Sequence, residues 1–465
     1  MASPLTVAGH LGGESSNRLS IAVRWLDGKL YPVELWRRYL LVFFAATLSC
    51  TVILKVADIQ YLEVIFALDF LLVLIALVSG GFKFRVFAPF LEIARAYGIF
   101  MVATFALSLV ALQQDFSAPH LTFLKSPVIV TIARIAEIFL DAFYTLYLAS
   151  LFREDEALCR FGARTYFWTG IAGCLYSFLS YPINVATGLQ LGAYLDTHRL
   201  RGFNNEGGGF GLYLLSVMVL AVVTYRMRWI SKRLLLMGTL VFSLALVGSA
   251  SKSAFLALGM LGGITLAWFL QGWRRWTMFV VLALGMMVLG SIFDIQGQID
   301  MYRKGSARYQ ELSNIKAGDG NFVMGRVAGA VIAPRMIAAR PLTGIGWGNY
   351  PLVRDNPEYR HGTAFEIGTF DAPSLGVIDY IVELGIPLWL YLVWIELKPV
   401  LMLRRVHADI WLVALALIQP VSNWAGAHLN LTHPWIMVAF ALGLAYRQFS
   451  PTSPNPRQQA GPSDV

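Results

Sequence analysis

Four stretches hold residues whose types and spacing could do chemistry. In 324–350, Arg326, Arg335 and Arg340 are interleaved with apolar residues and followed by Pro341 and a Gly344-x-Gly346-x-Gly348 turn. The pattern predicts amphipathic helical segments ending in a tight loop, with guanidinium groups held over an apolar surface. Such a surface suits a ligand that is anionic at one end and apolar at the other. In 200–214, Arg201, Asn204, Asn205 and Glu206 meet the glycine run Gly207-Gly208-Gly209. Glycine lets a backbone approach a ligand closely, and equally lets helices pack closely. Ser249-Ala250-Ser251-Lys252-Ser253 sets one ammonium among three hydroxyls. Arg134, Glu137 and Asp141 are spaced i, i+3 and i+7, so they share one helix face. That face reads either as an internally neutralised cluster or as an ion or proton path. No Asp-x-Asp, histidine cluster or Walker-type loop is present, so no metal, nucleotide or other cofactor is expected.

The elements that must position these residues are membrane helices. The chain has 465 residues, 57% hydrophobic and only 14% charged, with a mean hydropathy of +0.60. A soluble domain carries about a quarter charged residues. The expected fold class is all-α, a polytopic transmembrane helical bundle of about twelve spans, since each apolar run approaches the length of a membrane-crossing helix. The expected layout is a cytoplasmic tail over 1–38, spans one to nine over 39–293 and a large loop with helical segments over 294–372. Spans ten to twelve follow over 373–447, then a disordered cytoplasmic tail over 448–465. The eleventh span is short, with a break expected at Pro420. Cys50, Cys159 and Cys174 are isolated and imply no disulfide or zinc framework.

Lysine and arginine gather in the N-terminal tail and in alternate loops, among them Lys83 and Arg85, Arg160 and Arg164, Arg226 to Arg233, and Arg404 and Arg405. This bias predicts both termini in the cytoplasm and the 294–372 loop outside. The net charge of +9 resides in these loops and gives no reason to expect a nucleic-acid partner. Arg201 and Lys252 stand against the bias, beside spans on the outer side. Most of the other basic residues of the long loop, Arg303, Lys304 and Arg308 included, read as a solvated surface. Glu63 and Asp69 join the Arg134 face as ionisable groups inside spans, where a bundle interior or a cavity must shelter them.

Arg201-Gly202-Phe203-Asn204-Asn205 opens a span, and Ser249-x-Ser251-Lys252-Ser253 lies at a later span boundary. An outer loop then carries Arg326 and Pro341-Leu342-Thr343-Gly344-Ile345-Gly346-Trp347-Gly348-Asn349-Tyr350, and Glu383-Leu384-Gly385-Ile386 follows in the next span. In this order the four elements resemble the O-antigen ligase/polymerase superfamily, a similarity covering about 199–387. Arg335, ten residues and Gly346 also match the Arg-x10-Gly spacing of polymerases in that group.

The resemblance implies a metal-independent glycosyltransferase at the outer face of the bacterial inner membrane, using a glycan on undecaprenyl pyrophosphate as donor and a second glycan as acceptor. It implies Arg201, Lys252, Arg326, Arg335 and Arg340 as donor-pyrophosphate ligands. Asn204, Asn205, Glu206, Trp347 and Asn349 are then the acceptor and glycan contacts. A sugar hydroxyl attacking an anomeric carbon needs a base, for which His361, Glu366 and Asp371 are the candidates. Inner-membrane lipids, a flippase and a chain-length regulator are the partners such an enzyme would meet. Two departures stand out: Lys252 replaces the usual arginine, and Ser374-Leu375 occupies the place of the ligase His-Asn. The second favours a polymerase of lipid-linked repeat units over a ligase transferring glycan to lipid A-core. A lipid or polysaccharide transporter is the reading from a different class, drawn from the Arg134 face.

Overall fold

The computed structural model describes residues 38–47, 55–56, 59–60, 87–114, 126–189, 191–194, 199–204, 207–269, 277, 332–354, 356–360, 377–425 and 431–447. Apart from a two-residue-per-strand hairpin, Lys55–Val56 with Ile59–Gln60, and one isolated bridge, the regular structure there is helical. The main helices are α1 (Arg38–Thr47), α2 (Leu91–Ala111), α3 (Pro127–Glu154), α4 (Glu156–Thr187), α5 (Gly207–Arg226), α6 (Lys232–Ser249) and α7 (Lys252–Phe269). They continue with α8 (332–339), α9 (Val377–Arg405), α10 (Ile410–Trp424) and α11 (Thr432–Arg447).

Local sequence sets the helix ends. Pro127 opens α3, where its missing N–H costs nothing. Asp155 alone separates α3 from α4 and caps the latter, its Oδ1 accepting from Leu158 N at 3.1 Å. Gly188 closes α4 in the left-handed region at φ 74°. Ser231 and Ser251 cap α6 and α7 in the same manner. Pro420 does not break the eleventh expected span: α10 runs from Ile410 to Trp424 with the proline inside it. The break falls instead in α9, where Gly385 takes φ 72°, ψ 166° and divides the helix in two.

The core is built where α3 meets α11. Phe152 stacks on Phe440 at 4.5 Å, and Gly443 approaches so closely that a Cβ there would lie 2.6 Å from Phe152 Cβ. Every residue of α10 from Leu412 to Asn423 is buried. Some polar groups inside the bundle pair with one another: Asn423 Nδ2 donates to Glu396 Oε1 at 2.6 Å, and Gln419 Nε2 to Tyr97 OH at 3.3 Å. The outer faces carry Val102 at 72% exposure and Val247 at 67%, a surface suited to hydrocarbon and not to water. Four described helices are long and apolar enough to cross a membrane: Ala88–Ala111, Gly207–Arg226, Lys232–Ser249 and Val377–Arg405. The expected second span, 61–79 with Glu63 and Asp69, and, apart from Thr277, the expected ninth, 276–293, lie outside the described residues.

Contacts at the helix ends define two poles. At one pole Arg226 pairs with Asp409 at 2.5 Å, Arg447 with Glu156 at 2.6 Å and Lys398 with Glu92 at 3.6 Å. Arg164 donates twice to Trp229 O there, and Arg153 lies over the Phe87 ring at 3.8 Å. At the opposite pole, 199–204 meets 248–249, and 341–350 meets the starts of α3 and α9. The helices therefore alternate in direction from α2, leaving the arginine-rich pole, to α7, and again from α9 to α11. That is the alternation read from the lysines and arginines of the sequence.

Candidate active site

The pole away from the arginine-rich end gathers two constructions. The first is 199–204, laid over the ends of α4 and α6. Leu200 N donates to Gly248 O at 2.9 Å, Arg201 N to Gly192 O at 2.9 Å and Tyr194 N to Arg199 O at 2.8 Å. Side chains complete the anchoring: Arg199 Nε donates to Ser249 O at 3.0 Å, and Asn184 Nδ2 to Ala193 O at 2.8 Å. Gly202 turns the chain at φ 58°, with its N–H on Ser177 Oγ at 2.7 Å. A Cβ at Gly202 would fall 2.4 Å from the Phe210 ring. Arg201 is thereby fixed in plane, its Nε donating to Leu191 O at 2.6 Å and its guanidinium 4.7 Å from the Tyr194 ring centroid. Asn204 is buried, and its Nδ2 has no hydrogen-bond partner among the described residues.

The glycine run acts first in packing. A Cβ at Gly207 would stand 2.8 Å from Ser249 O, and one at Gly211 2.5 Å from Ser251 Cβ. Gly208 meets nothing, and its carbonyl accepts from Ser251 Oγ at 3.1 Å. This closeness draws the turn before Lys252 against the start of α5. Ala250 bends that turn with a left-handed φ of 47°, uncommon for a residue with a Cβ, and Lys252 is exposed beside it. Arg201, Asn204 and Lys252 thus belong to one corner; Asn205 and Glu206 lie outside the described residues.

The second construction is the loop after α8. Its three glycines all take positive φ, 64° at Gly344, 92° at Gly346 and 78° at Gly348, as only glycine does without strain. Each also sits where a side chain would not fit. A Cβ would lie 2.3 Å from Glu383 O at Gly344, 2.4 Å from Asn349 Nδ2 and 3.3 Å from Ala111 Cβ at Gly346, and 2.6 Å from Val130 Cγ1 at Gly348. The loop therefore wedges among α9, α2 and α3. The break at Gly385 receives it: Ile345 N donates to Val382 O at 3.0 Å, Gly346 N to Glu383 O at 3.1 Å, and Ile386 N to Pro341 O at 2.8 Å.

Gln114, Thr131 and Ser108, which the sequence did not single out, complete the dock together with Glu383 of the fourth element. Gln114 Nε2 donates to Ile345 O at 2.6 Å, Thr131 Oγ1 to Trp347 O at 2.9 Å, and Trp347 N to Ser108 Oγ at 3.2 Å. Glu383 Oε1 accepts from Tyr350 N at 3.2 Å. The one available signal was a polar residue near the end of an apolar run, shared with many residues that do nothing comparable. Trp347 is 3% exposed with its ring 5.1 Å from Phe100, and Asn349 is fully buried. Both are built into the dock.

Arg335 Nη1 donates to Tyr359 O at 3.0 Å, and Arg340 is half-buried at the end of α8. Arg354, by contrast with a solvated loop residue, is 1% exposed. Beside the dock, Arg134 and Glu137 pair at 3.0 Å, Asp141 is buried deeper along the same helix, and Arg134 Cγ would lie 3.1 Å from a Cβ at Gly348. The Arg134–Glu137 part of that face is therefore internally neutralised. Arg326, His361, Glu366 and Asp371 lie outside the described residues. Among the described residues, no three of His, Cys, Asp and Glu are grouped to hold a metal ion.

Residues 237–393 match the family model for O-antigen ligase. The match supports the O-antigen ligase/polymerase superfamily and, with the apolar helices, a membrane protein working on lipopolysaccharide or related polysaccharides. It covers about a third of the chain. Lys252, Arg335, Arg340, Trp347, Asn349 and Glu383 fall inside the match, while Arg201 and Asn204 precede it. No curated protein matches the chain. A glycosyl-transfer type of enzyme, with lipid-linked glycan substrates, is what such a family implies.

Proposed function

We propose that the protein is an inner-membrane glycan polymerase, moving a growing polysaccharide from undecaprenyl pyrophosphate to a lipid-linked repeat unit at the periplasmic face. One observation carries this reading: the family-matched stretch brings the Lys252 turn and the docked Gly-x-Gly-x-Gly loop to one pole, opposite the arginine-rich one. On the positive-inside argument that pole faces the periplasm, and both termini and the 448–465 tail face the cytoplasm.

In this scheme a hydroxyl of the acceptor sugar attacks the donor's anomeric carbon. The bond from that carbon to the pyrophosphate oxygen breaks, and its electron pair leaves with the lipid pyrophosphate. The hydroxyl proton passes to a base drawn from His361, Glu366 and Asp371. Arg201, Lys252 and Arg326, with Arg335 and Arg340, stabilise the charge growing on the leaving group without a metal. A preorganised cation of this kind is worth about 2–4 kcal/mol in the transition state. The bonded, ring-backed guanidinium of Arg201 supports that role, because its orientation is set before substrate arrives. We assign Asn204, Asn205 and Glu206 to the glycan. Trp347 and Asn349 we assign to holding the loop, since their burial leaves them little surface for a sugar.

The second reading, an O-antigen ligase, has the description of the matched family in its favour. Deleting the gene separates the two. Loss of a polymerase leaves single repeat units or short glycans, whereas loss of a ligase leaves long polymer stranded on undecaprenyl pyrophosphate. The decisive complement is purified protein supplied with a lipid-linked repeat unit alone. Long products support the polymerase, and a requirement for a lipid A-core acceptor overturns it.

A further inference from the structure

A cavity of about 720 Å³ opens between α1 and α4 at the arginine-rich pole, far from the candidate active site. Tyr39, Phe43 and Thr47 of α1 line one wall, and Phe161, Trp168 and Thr169 of α4 the other. Arg160 and Arg164 stand at the pole end of the same cavity. The walls below the arginines are apolar, even at the threonines. Thr47 Oγ1 donates to Phe43 O at 2.8 Å and Thr169 Oγ1 to Thr165 O at 2.9 Å, so both hydroxyls serve their own helices. A sugar or a polar peptide would find few partners there.

We propose that this groove holds one acyl chain of an anionic glycerophospholipid, with the lipid phosphate against Arg160 and Arg164. Three observations fix the occupant. The lining runs along α4 from Ala157 to Ala172, and the part from Arg160 to Ala172 is about 18 Å at the helical rise. That is close to one leaflet of a hydrocarbon core about 30 Å thick. The charge is positive at the mouth and absent below. Arg164 Nε and Nη2 both donate to the neutral carbonyl of Trp229, at 3.0 and 2.6 Å, so these bonds orient its charge without cancelling it. Arg160 does pair with Glu156 at 3.0 Å, but that carboxylate also serves Arg447 at 2.6 Å. Lastly, Trp168 is 51% and Phe43 42% exposed in the groove, rings that an acyl chain would cover. A cationic pocket between helices, at the end where basic loops gather, is the arrangement that anionic headgroups occupy.

Trp168 supplies the probe. The full chain in detergent is titrated with phosphatidylglycerol or phosphatidylcholine brominated on the acyl chain, and the Trp168 signal is taken as the difference from Trp168→Phe. Phosphatidylglycerol should quench that signal at a concentration at least about tenfold lower than phosphatidylcholine, the ratio one charge-assisted contact provides. Arg160→Ala and Arg164→Gln should each reduce the preference. Thr169→Phe, which fills the apolar wall and keeps both arginines, should abolish quenching by either lipid; thermal melts confirm that each variant is folded. Equal quenching by the two lipids overturns the proposal, as does quenching that survives Thr169→Phe. So does quenching that appears only after residues 1–37 are removed, which would give the groove to the chain's own N-terminal segment.

Discussion

Replacing Gly344 with alanine tests whether the docked loop is a structural wedge. Two costs can be worked from the structure. The residue sits at φ 64°, where a Cβ costs about 1–2 kcal/mol against the preceding carbonyl. The new methyl would also stand 2.3 Å from Glu383 O and 2.6 Å from Gly385 N. Both are backbone atoms and cannot swing aside as a flexible side chain would. Relieving the overlap means separating the loop from α9, which strains Ile345 N–Val382 O and Gly346 N–Glu383 O. Each net hydrogen bond lost costs about 0.5–1.5 kcal/mol, and more where the groups stay buried. Together these give a destabilisation of about 2–5 kcal/mol, concentrated at the dock. Gly98→Ala is the control, because a Cβ at Gly98 of α2 meets nothing within 4 Å and alanine is the better helix former by about 1 kcal/mol. The assay pairs thermal melts of purified protein with turnover of a lipid-linked donor. Gly344→Ala should melt earlier and turn over at least tenfold slower, and Gly98→Ala should match wild type or melt slightly later. A Gly344→Ala protein that equals Gly98→Ala in both readouts refutes the wedge.

Other outcomes are expected on the same reasoning. Arg201→Ala should lower turnover by about thirty- to a thousandfold, the loss of one preorganised transition-state contact, with normal abundance; Lys232→Ala, at the opposite pole, should be near wild type, and equal rates would remove Arg201 from the donor site. Reporter fusions at Arg228 and Arg405 should read cytoplasmic and a fusion at Lys316 periplasmic; a cytoplasmic signal at Lys316 puts the donor pyrophosphate on the wrong side. Glu156, at the arginine-rich pole, is pulled two ways. Burial raises its carboxyl, but hydrogen bonds from Arg160, Arg447 and Trp229 outweigh that and hold it below the ordinary glutamate range. A depressed carboxylate stabilises the fold above its unfolded value and loses that contribution as pH falls through the folded one. Wild type should therefore melt later than Glu156→Gln at pH 7, and the two should converge below the ordinary value of about 4.3; a gap that persists in acid argues against the charge network.

What the sequence disclosed and what it withheld divide along a physical line. Helix type and alternating direction were legible because hydropathy and basic loops are properties of single segments, each readable without its neighbours. The Gly-x-Gly-x-Gly run was legible as a tight turn, since three glycines at spacing two announce positive φ. Its partners were not. Whether such glycines make room for a ligand or for a neighbouring helix depends on what stands opposite, and here Glu383, Ala111 and Val130 stand opposite. The same holds for Trp347, which the resemblance gave as a glycan contact and which packs on Phe100. Pro420 and Gly385 exchanged roles for a related reason. A proline costs a helix one hydrogen bond, which α10 absorbs inside a wholly buried stretch. Gly385 turns to φ 72° because the incoming loop takes up the groups exposed by the break, Ile386 N on Pro341 O and Glu383 O under Gly346 N. The helix break and the glycine loop are two halves of one joint. A substitution that stiffens either half, Gly385→Ala as much as Gly344→Ala, should therefore release the other, and a double variant should cost less than the sum of the two.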